Sequence, residues 1–240
     1  MTATAGRPHK AEENRRILIN FVLDKSGSMD VIRDATISGF NEFKNDQAKE
    51  AGEAFFTLTL FDTELSTVAA AVPVREVPDL DAMSYDPGGC TALYDAIGHT
   101  MQLTDDFFAA NKPDQVLFVI MTDGMENASR EFGRDRIFDM IRDRQKLAGY
   151  EFIYLGANQD SYLVGHQMGL RDGRMLDYAA SPEVARETMR RASHNVSAYR
   201  RRGNVQEAQF FSQQMEDLGS MPVQEWAELS DQEKARHRED

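Results

Sequence analysis

Dense apolar runs alternate along this chain with stretches in which apolar residues recur once per helical turn. Residues Arg16 to Leu23, RILINFVL, hold six strongly apolar side chains. The run is too short for an ordinary helix and rich enough in Ile, Leu, Val and Phe to read as a strand buried on both faces. From Asp30 to about Glu50, Ile32, Ala35, Ile37, Phe40 and Phe43 follow helical spacing, and Asp30 stands where an N-cap would. The next stretch, EAFFTLTLFDTELSTVAAAVPV, predicts two strands joined by a polar turn at Asp62 to Glu64, hence an antiparallel hairpin. Pro73 lacks the N–H that a ladder needs, which places the second strand at a sheet edge.

Pro78 to Gly89, with its prolines, glycines and aspartates, reads as a loop leading into TALYDAIGHTMQLTDDFF, where Leu93, Ile97 and Met101 mark a second helix. DQVLFVIMTDG is another apolar strand that ends in a polar cluster. Arg134 to Leu147 predicts a charged amphipathic helix closed by Gly149 as its C′ residue. YEFIYLGA is a third buried strand, Ser161 to Leu170 a short helix, and DGRMLDYA a turn with a short strand. Ser181 to Arg200 is a helix with Ser181 as its cap and Pro182 at its first position. Strands alternating with helices predict an α/β fold: a doubly wound, Rossmann-like open sheet, mostly parallel, with one antiparallel edge strand and helices on both faces.

The periodic pattern divides the chain into a flexible segment 1–14, a domain 15–202 and a C-terminal tail 203–240 that is helical or partly disordered. Within the tail, NVQEAQFFSQQMEDLGS could form one amphipathic helix, and Phe210, Phe211 and Trp226 are aromatics suited to docking on the domain.

Composition narrows the function. The chain has 240 residues, 41% hydrophobic and 28% charged, with a formal net charge of −13. That balance suits a globular protein with a sizeable core and makes duplex nucleic acid and anionic membrane poor partners. No apolar run approaches the roughly 20 residues of a membrane span, and the N-terminus lacks the apolar region of a secretion signal, so a cytoplasmic location is expected. Cys90, the single cysteine, excludes an internal disulfide and reads as a small buried residue beside Thr91. The five histidines, His9, His99, His166, His194 and His237, are scattered without metal-ligand spacing.

The chemistry lies at the strand ends, where open α/β sheets bind their ligands. After the first strand stand Asp24, Ser26 and Ser28, after the apolar strand DQVLFVIMT stands Asp123, and the glycines Gly88 and Gly89 precede Thr91 at the start of the second helix. All five side chains carry oxygen. Hard oxygen donors with only two carboxylates suit Mg²⁺, with Mn²⁺ or Ca²⁺ as alternatives, whereas zinc would ask for histidine or cysteine. Alone, DKSGS reads equally as a turn whose serines cap backbone groups. With Thr91 and Asp123, three separate turns share one chemistry.

DKSGS at Asp24 to Ser28, GGCTALYDAI with Thr91, and MTDG with Asp123, in that order, resemble the von Willebrand factor A domain and its metal-ion-dependent adhesion site. The likeness covers about residues 15 to 200 and is nearest to compact intracellular members of bacteria and phages. It implies that Ser26, Ser28 and Thr91 ligate a divalent ion, that Asp24 and Asp123 act through waters or as switchable ligands, and that an Asp or Glu of a partner protein completes the shell. The implied function is a non-catalytic interaction module.

Two other readings stay open on the residues. Asp24 could be the nucleophile of a Mg²⁺-dependent phosphotransferase. Arg186, Arg190, Arg191, Arg200, Arg201 and Arg202, set against Glu183 and Glu187, could contact nucleic acid. No GxxxxGK[ST] loop is present, so ATP hydrolysis is not supported.

Overall fold

The computed structural model describes residues 15–147, 149–157, 161–202 and 211. Among these described residues, six strands form one sheet: β1 (Arg16–Asp24), β2 (Glu53–Phe61), β3 (Leu65–Pro73), β4 (Gln115–Thr122), β5 (Tyr150–Ala157) and β6 (Met175–Tyr178). Their order is β3-β2-β1-β4-β5-β6. Every pairing is parallel except β2 with β3. The edge position of Pro73 is as expected, and β3 is irregular opposite Phe56 to Thr59, with Ala71 at φ 49°. Such bulges blunt an exposed edge.

Among the described residues, five α-helices cover the sheet: α1 (Arg33–Lys49), α2 (Leu93–Asn111), α3 (Arg134–Arg144), α4 (Ser161–Gln167) and α5 (Pro182–Arg202). Because side chains alternate along a strand, β1 feeds two cores at once. Ile17, Ile19, Phe21 and Leu23 pack with Phe40 and Phe43 of α1 and Ala185 and Met189 of α5. Leu18 and Val22 pack with Leu93, Ile97 and Met101 of α2 and Ile137 and Ile141 of α3. Phe21 meets Phe40 and Phe43 edge-on at 5.3 and 5.1 Å between ring centres, the arrangement that aromatic quadrupoles favour. This two-sided burial is why β1 reads as an almost unbroken apolar run.

Helix ends depart from the sequence reading in three places. Asp30 is not an N-cap: Gly27–Ile32 is a 3₁₀ turn, and α1 begins after Ile32 without a side-chain cap. The turn lets Met29 and Ile32 both reach the core, and burial of those two outweighs one capping bond. Helix α3 stops at Arg144 rather than Leu147, with Gln145 as its C-cap. Gly149, expected to close that helix, instead takes φ 87° at the entry to β5, where a Cβ would stand 2.4 Å from the Asp114 carbonyl oxygen. Close backbone approach, not helix termination, demands glycine there.

Pro182 does open α5, and Ser181 Oγ accepts from the Val184 N–H at 3.4 Å. Four arginines of α5 have acidic or carbonyl partners, two within the helix itself and two on the body. Arg190 and Arg191 pair with Glu187, Arg201 with Glu50, and the buried Arg200 donates to the Gln47 carbonyl at 2.6 Å. Phe211 is 1% exposed, joins the α1/α5 core and donates its N–H to the Gly173 carbonyl at 3.0 Å. Phe210, Trp226 and the rest of the expected tail lie outside the described residues. Among the described residues no helix is long and apolar enough to cross a membrane.

Candidate metal centre

Asp24 is the last residue of β1, whose neighbour β4 ends at Thr122, so parallel pairing brings the β1–α1 turn beside the β4–α3 loop. All five residues singled out from the sequence meet there. The Asp24 carboxylate is fully buried: Oδ1 accepts from the Ser26 N–H at 2.6 Å, and Oδ2 from the Thr122 hydroxyl. Ser26 Oγ and Ser28 Oγ lie 3.3 Å apart, and Ser28 Oγ donates to Asp123 Oδ1 at 2.5 Å. Asp24, Ser26 and Thr91 form a buried floor, whereas Ser28 is exposed and Asp123 half-buried at the mouth.

Thr91 arrives from a loop tied down on both sides. Its N–H donates to Asn127 Oδ1 at 2.8 Å, and its carbonyl accepts from the N–H groups of Asn127 and Ala128. The Gly27 N–H donates to the Gly89 carbonyl and the Gly88 N–H to the Lys25 carbonyl, so this loop and the β1–α1 turn exchange backbone bonds. Gly89 takes φ 70°, a conformation costly for other residues. The Thr91 hydroxyl is thereby aimed at the mouth. A Cβ placed on Gly124 would sit 3.0 Å from Thr91 Oγ1 and 3.7 Å from Ser28 Oγ, so the missing side chain leaves a cradle between the two hydroxyls.

Burial pushes the Asp24 carboxyl up to about 6, against the pull of its bonds to Thr122 and Ser26 and with Asp123 adding to the rise. Burial also raises Asp123, offset in part by the Ser28 hydroxyl. Lys25 supplies no compensation, because its ammonium pairs with Asp62. Two carboxylates held above their usual range beside three hydroxyls favour a cation between them. Among the described residues no group of three or more His, Cys, Asp or Glu could hold a metal. A cation here would depend on the hydroxyls, and the donor set fits a hard divalent ion rather than zinc's usual ligands.

Several supporting residues escaped the sequence reading. Thr122 holds Asp24, a contact foreshadowed only by its place in MTDG. Asp95 of α2 accepts from the N–H groups of Arg130, Glu131 and Phe132 and straps the β4–α3 loop to the helix. Glu126 accepts from the Tyr94 N–H in the same strap. Cys90 departs from expectation: it is exposed, its N–H bonded to Thr63 Oγ1 at 2.9 Å.

No family profile and no curated protein matches the sequence. Solved structures do. Proximal thread matrix protein 1 from the mussel byssus superposes with a TM-score of 0.60 at 12% identity, covering 78% of this chain and 47% of that one. The von Willebrand domain of the type V pili tip protein Mfa5 from Porphyromonas gingivalis gives 0.56 at 9% identity, covering 81% and 99%. A von Willebrand factor type A protein from Catenulispora acidiphila gives 0.53 at 15%, covering 77% and 43%. The chain thus spans about half the length of the mussel protein and nearly all of the Mfa5 domain. At these identities the likeness concerns architecture, and it agrees with the strand order and the single antiparallel edge: the chain has the fold of a von Willebrand factor A domain.

Proposed function

We propose that this chain is a non-catalytic protein-interaction module that binds Mg²⁺ through Asp24, Ser26, Ser28, Thr91 and Asp123 and captures a cytoplasmic partner protein through an Asp or Glu side chain. The observation that carries the reading is the convergence of those five oxygen-bearing side chains at one mouth, with Ser28 and Asp123 accessible and Gly124 leaving space between Ser28 and Thr91. A bound divalent ion would supply Lewis acidity toward an incoming carboxylate. The chain's own residues hold the donors in place. One solved form of the mussel protein, at 16% identity and a TM-score of 0.56, carries zinc in its adhesion-site motif. That finding supports a divalent ion at this position of the fold, and the all-oxygen donor set favours Mg²⁺ here.

A phosphotransferase reading has less support. Asp24 is fully buried and each of its oxygens already accepts a hydrogen bond, which supports a role in orienting and balancing the charge of the ion over one as an attacking nucleophile.

Titration calorimetry of EDTA-treated protein with Mg²⁺ tests the reading. Saturable binding is expected, weakened at least tenfold by Thr91→Ala, with the melting temperature of the metal-free variant close to wild type. No binding and no Mg²⁺-dependent change in melting temperature would sink it. Metal-dependent phosphatase turnover abolished by Asp24→Asn would replace it with the enzymatic reading.

A further inference from the structure

The segment that delivers Thr91 is long. Between the short 3₁₀ turn Val74–Glu76 and α2, residues 77 to 92 contain no strand or helix. Loops of this length tend to be mobile unless other elements hold them. Here one face of α1 does so. Lys44, Asn41 and Arg33 lie along one side of that helix, three and eight residues apart, as helical spacing allows. Lys44 Nζ donates to the Val77 carbonyl at 3.1 Å and pairs with Asp79. Asn41 exchanges two bonds with the Leu80 backbone, at 2.9 and 2.8 Å. Arg33 donates to the Tyr85 carbonyl at 3.2 Å and to the Ala82 carbonyl, and pairs with Asp86 at 3.0 Å. The loop therefore runs antiparallel to α1 and returns to the C-terminal edge of the sheet.

At that point Tyr85 turns inward. It is fully buried, and its hydroxyl donates to the Asp24 backbone carbonyl at 2.6 Å. A phenylalanine would fill the same volume. The hydroxyl adds a tie between the strand end bearing Asp24 and Ser26 and the loop bearing Thr91.

Resting on the cation site proposed above, we infer that Tyr85 and Arg33 are positioning residues for it: they clamp the Thr91 loop in register with the Asp24 strand end. Tyr85 acts through the Asp24 backbone. Arg33 acts through the carbonyls of Ala82 and Tyr85, and its planar fork suits two acceptors at once. From Tyr85, three residues of chain lead to Gly88, whose N–H bonds to the Lys25 carbonyl, and Thr91 follows.

The clamp and simple electrostatics predict opposite signs at Arg33. Removing a positive charge near a cation site should tighten cation binding by Coulomb's law. Loosening the loop should weaken it.

The experiment measures Mg²⁺ affinity by calorimetry for wild type, Tyr85→Phe and Arg33→Gln, and amide hydrogen exchange for each in EDTA. Tyr85→Phe is expected to raise the Mg²⁺ Kd about tenfold, the scale found for groups that orient metal ligands, and Arg33→Gln severalfold. Exchange at Gly88 and Gly27 should quicken severalfold in both variants without metal. A merely structural role would lower the melting temperature equally with and without Mg²⁺ and leave Kd unchanged, which would overturn the inference. Tighter binding by Arg33→Gln would overturn the part assigned to Arg33. Absence of Mg²⁺ binding by wild type is a different outcome, which removes the cation site itself and the positioning role with it.

Discussion

Ser28 and Asp123, 95 positions apart in the chain, meet at 2.5 Å, the serine hydroxyl donating to the aspartate Oδ1. The contact joins the end of β1 to the end of β4 and sets the width of the mouth that Thr91 faces from the third side. Gly124, next to Asp123, is what keeps that mouth open.

A methyl group at Gly124 is therefore expected to act on cation binding more than on the fold. Its backbone φ is not positive, so alanine carries no strain of that kind. The added carbon would stand 3.0 Å from Thr91 Oγ1. Calorimetry of Gly124→Ala should show Mg²⁺ affinity lowered about tenfold, with a metal-free melting temperature near that of wild type. Unchanged affinity would mean that the space between Ser28 and Thr91 is not where the ion sits.

The buried carboxylates give the metal-free protein a particular pH dependence. The Asp24 carboxyl titrates at about 6 when folded, against 3.8 as its ordinary value. The folded state thus binds this proton more tightly than the unfolded state. Its contribution to stability is complete below pH 3.8 and is lost as pH rises through about 6. At about 1.36 kcal/mol per unit the cost above that pH is on the order of 3 kcal/mol, and the raised Asp123 acts in the same direction. In EDTA, thermal melts should therefore show wild type losing stability relative to Asp24→Asn between pH 5 and 7.5. The stabilisation by Mg²⁺ should be larger at pH 7.5 than at pH 5.5, because the ion binds the ionised form. A Mg²⁺ increment independent of pH would contradict this account.

Phe211 anchors the chain beyond α5. It is 1% exposed and packs into the core shared by α1 and α5, with a backbone bond to Gly173. Phe211→Ala should cost about 3 to 5 kcal/mol in urea unfolding, the range for truncating a fully buried aromatic. Gly173 precedes β6, at the opposite end of its strand from the cation mouth. Mg²⁺ affinity of the folded variant should therefore match wild type. A cost below about 1 kcal/mol would show that the residue contributes little to the core.

Much of the fold is legible in the chain because it rests on local periodicity. The runs that became β1, β4 and β5 are apolar on both faces, and the periods of α2 and α5 show in short windows. Pro73 marked the edge strand by chemistry that needs no tertiary context. The errors at Asp30 and Gly149 have a common cause. A cap is one hydrogen bond and a C′ glycine one backbone angle, and both yielded to non-local demands: burial of Met29 and Ile32, and the approach of the Asp114 carbonyl. Cys90 is exposed, contrary to expectation, because composition does not reveal which side of a loop faces solvent.

For the site, the sequence by itself determined the donor inventory. Asp24, Ser26, Ser28, Thr91 and Asp123 stand at strand or helix ends where the chain must turn, and their oxygen chemistry follows from residue type. Only the tertiary structure decided that they converge, since that depends on β4 lying beside β1 in the sheet. It also decided what holds them: Thr122 on Asp24, Asn127 on Thr91, and Tyr85 with Arg33 on the loop between. The physical reason is distance along the chain. Periodicity reports the face of an element, whereas a hydrogen bond across 61 or 98 positions has no local signature, and a carboxyl titrating at about 6 exists only once folding has taken it out of water.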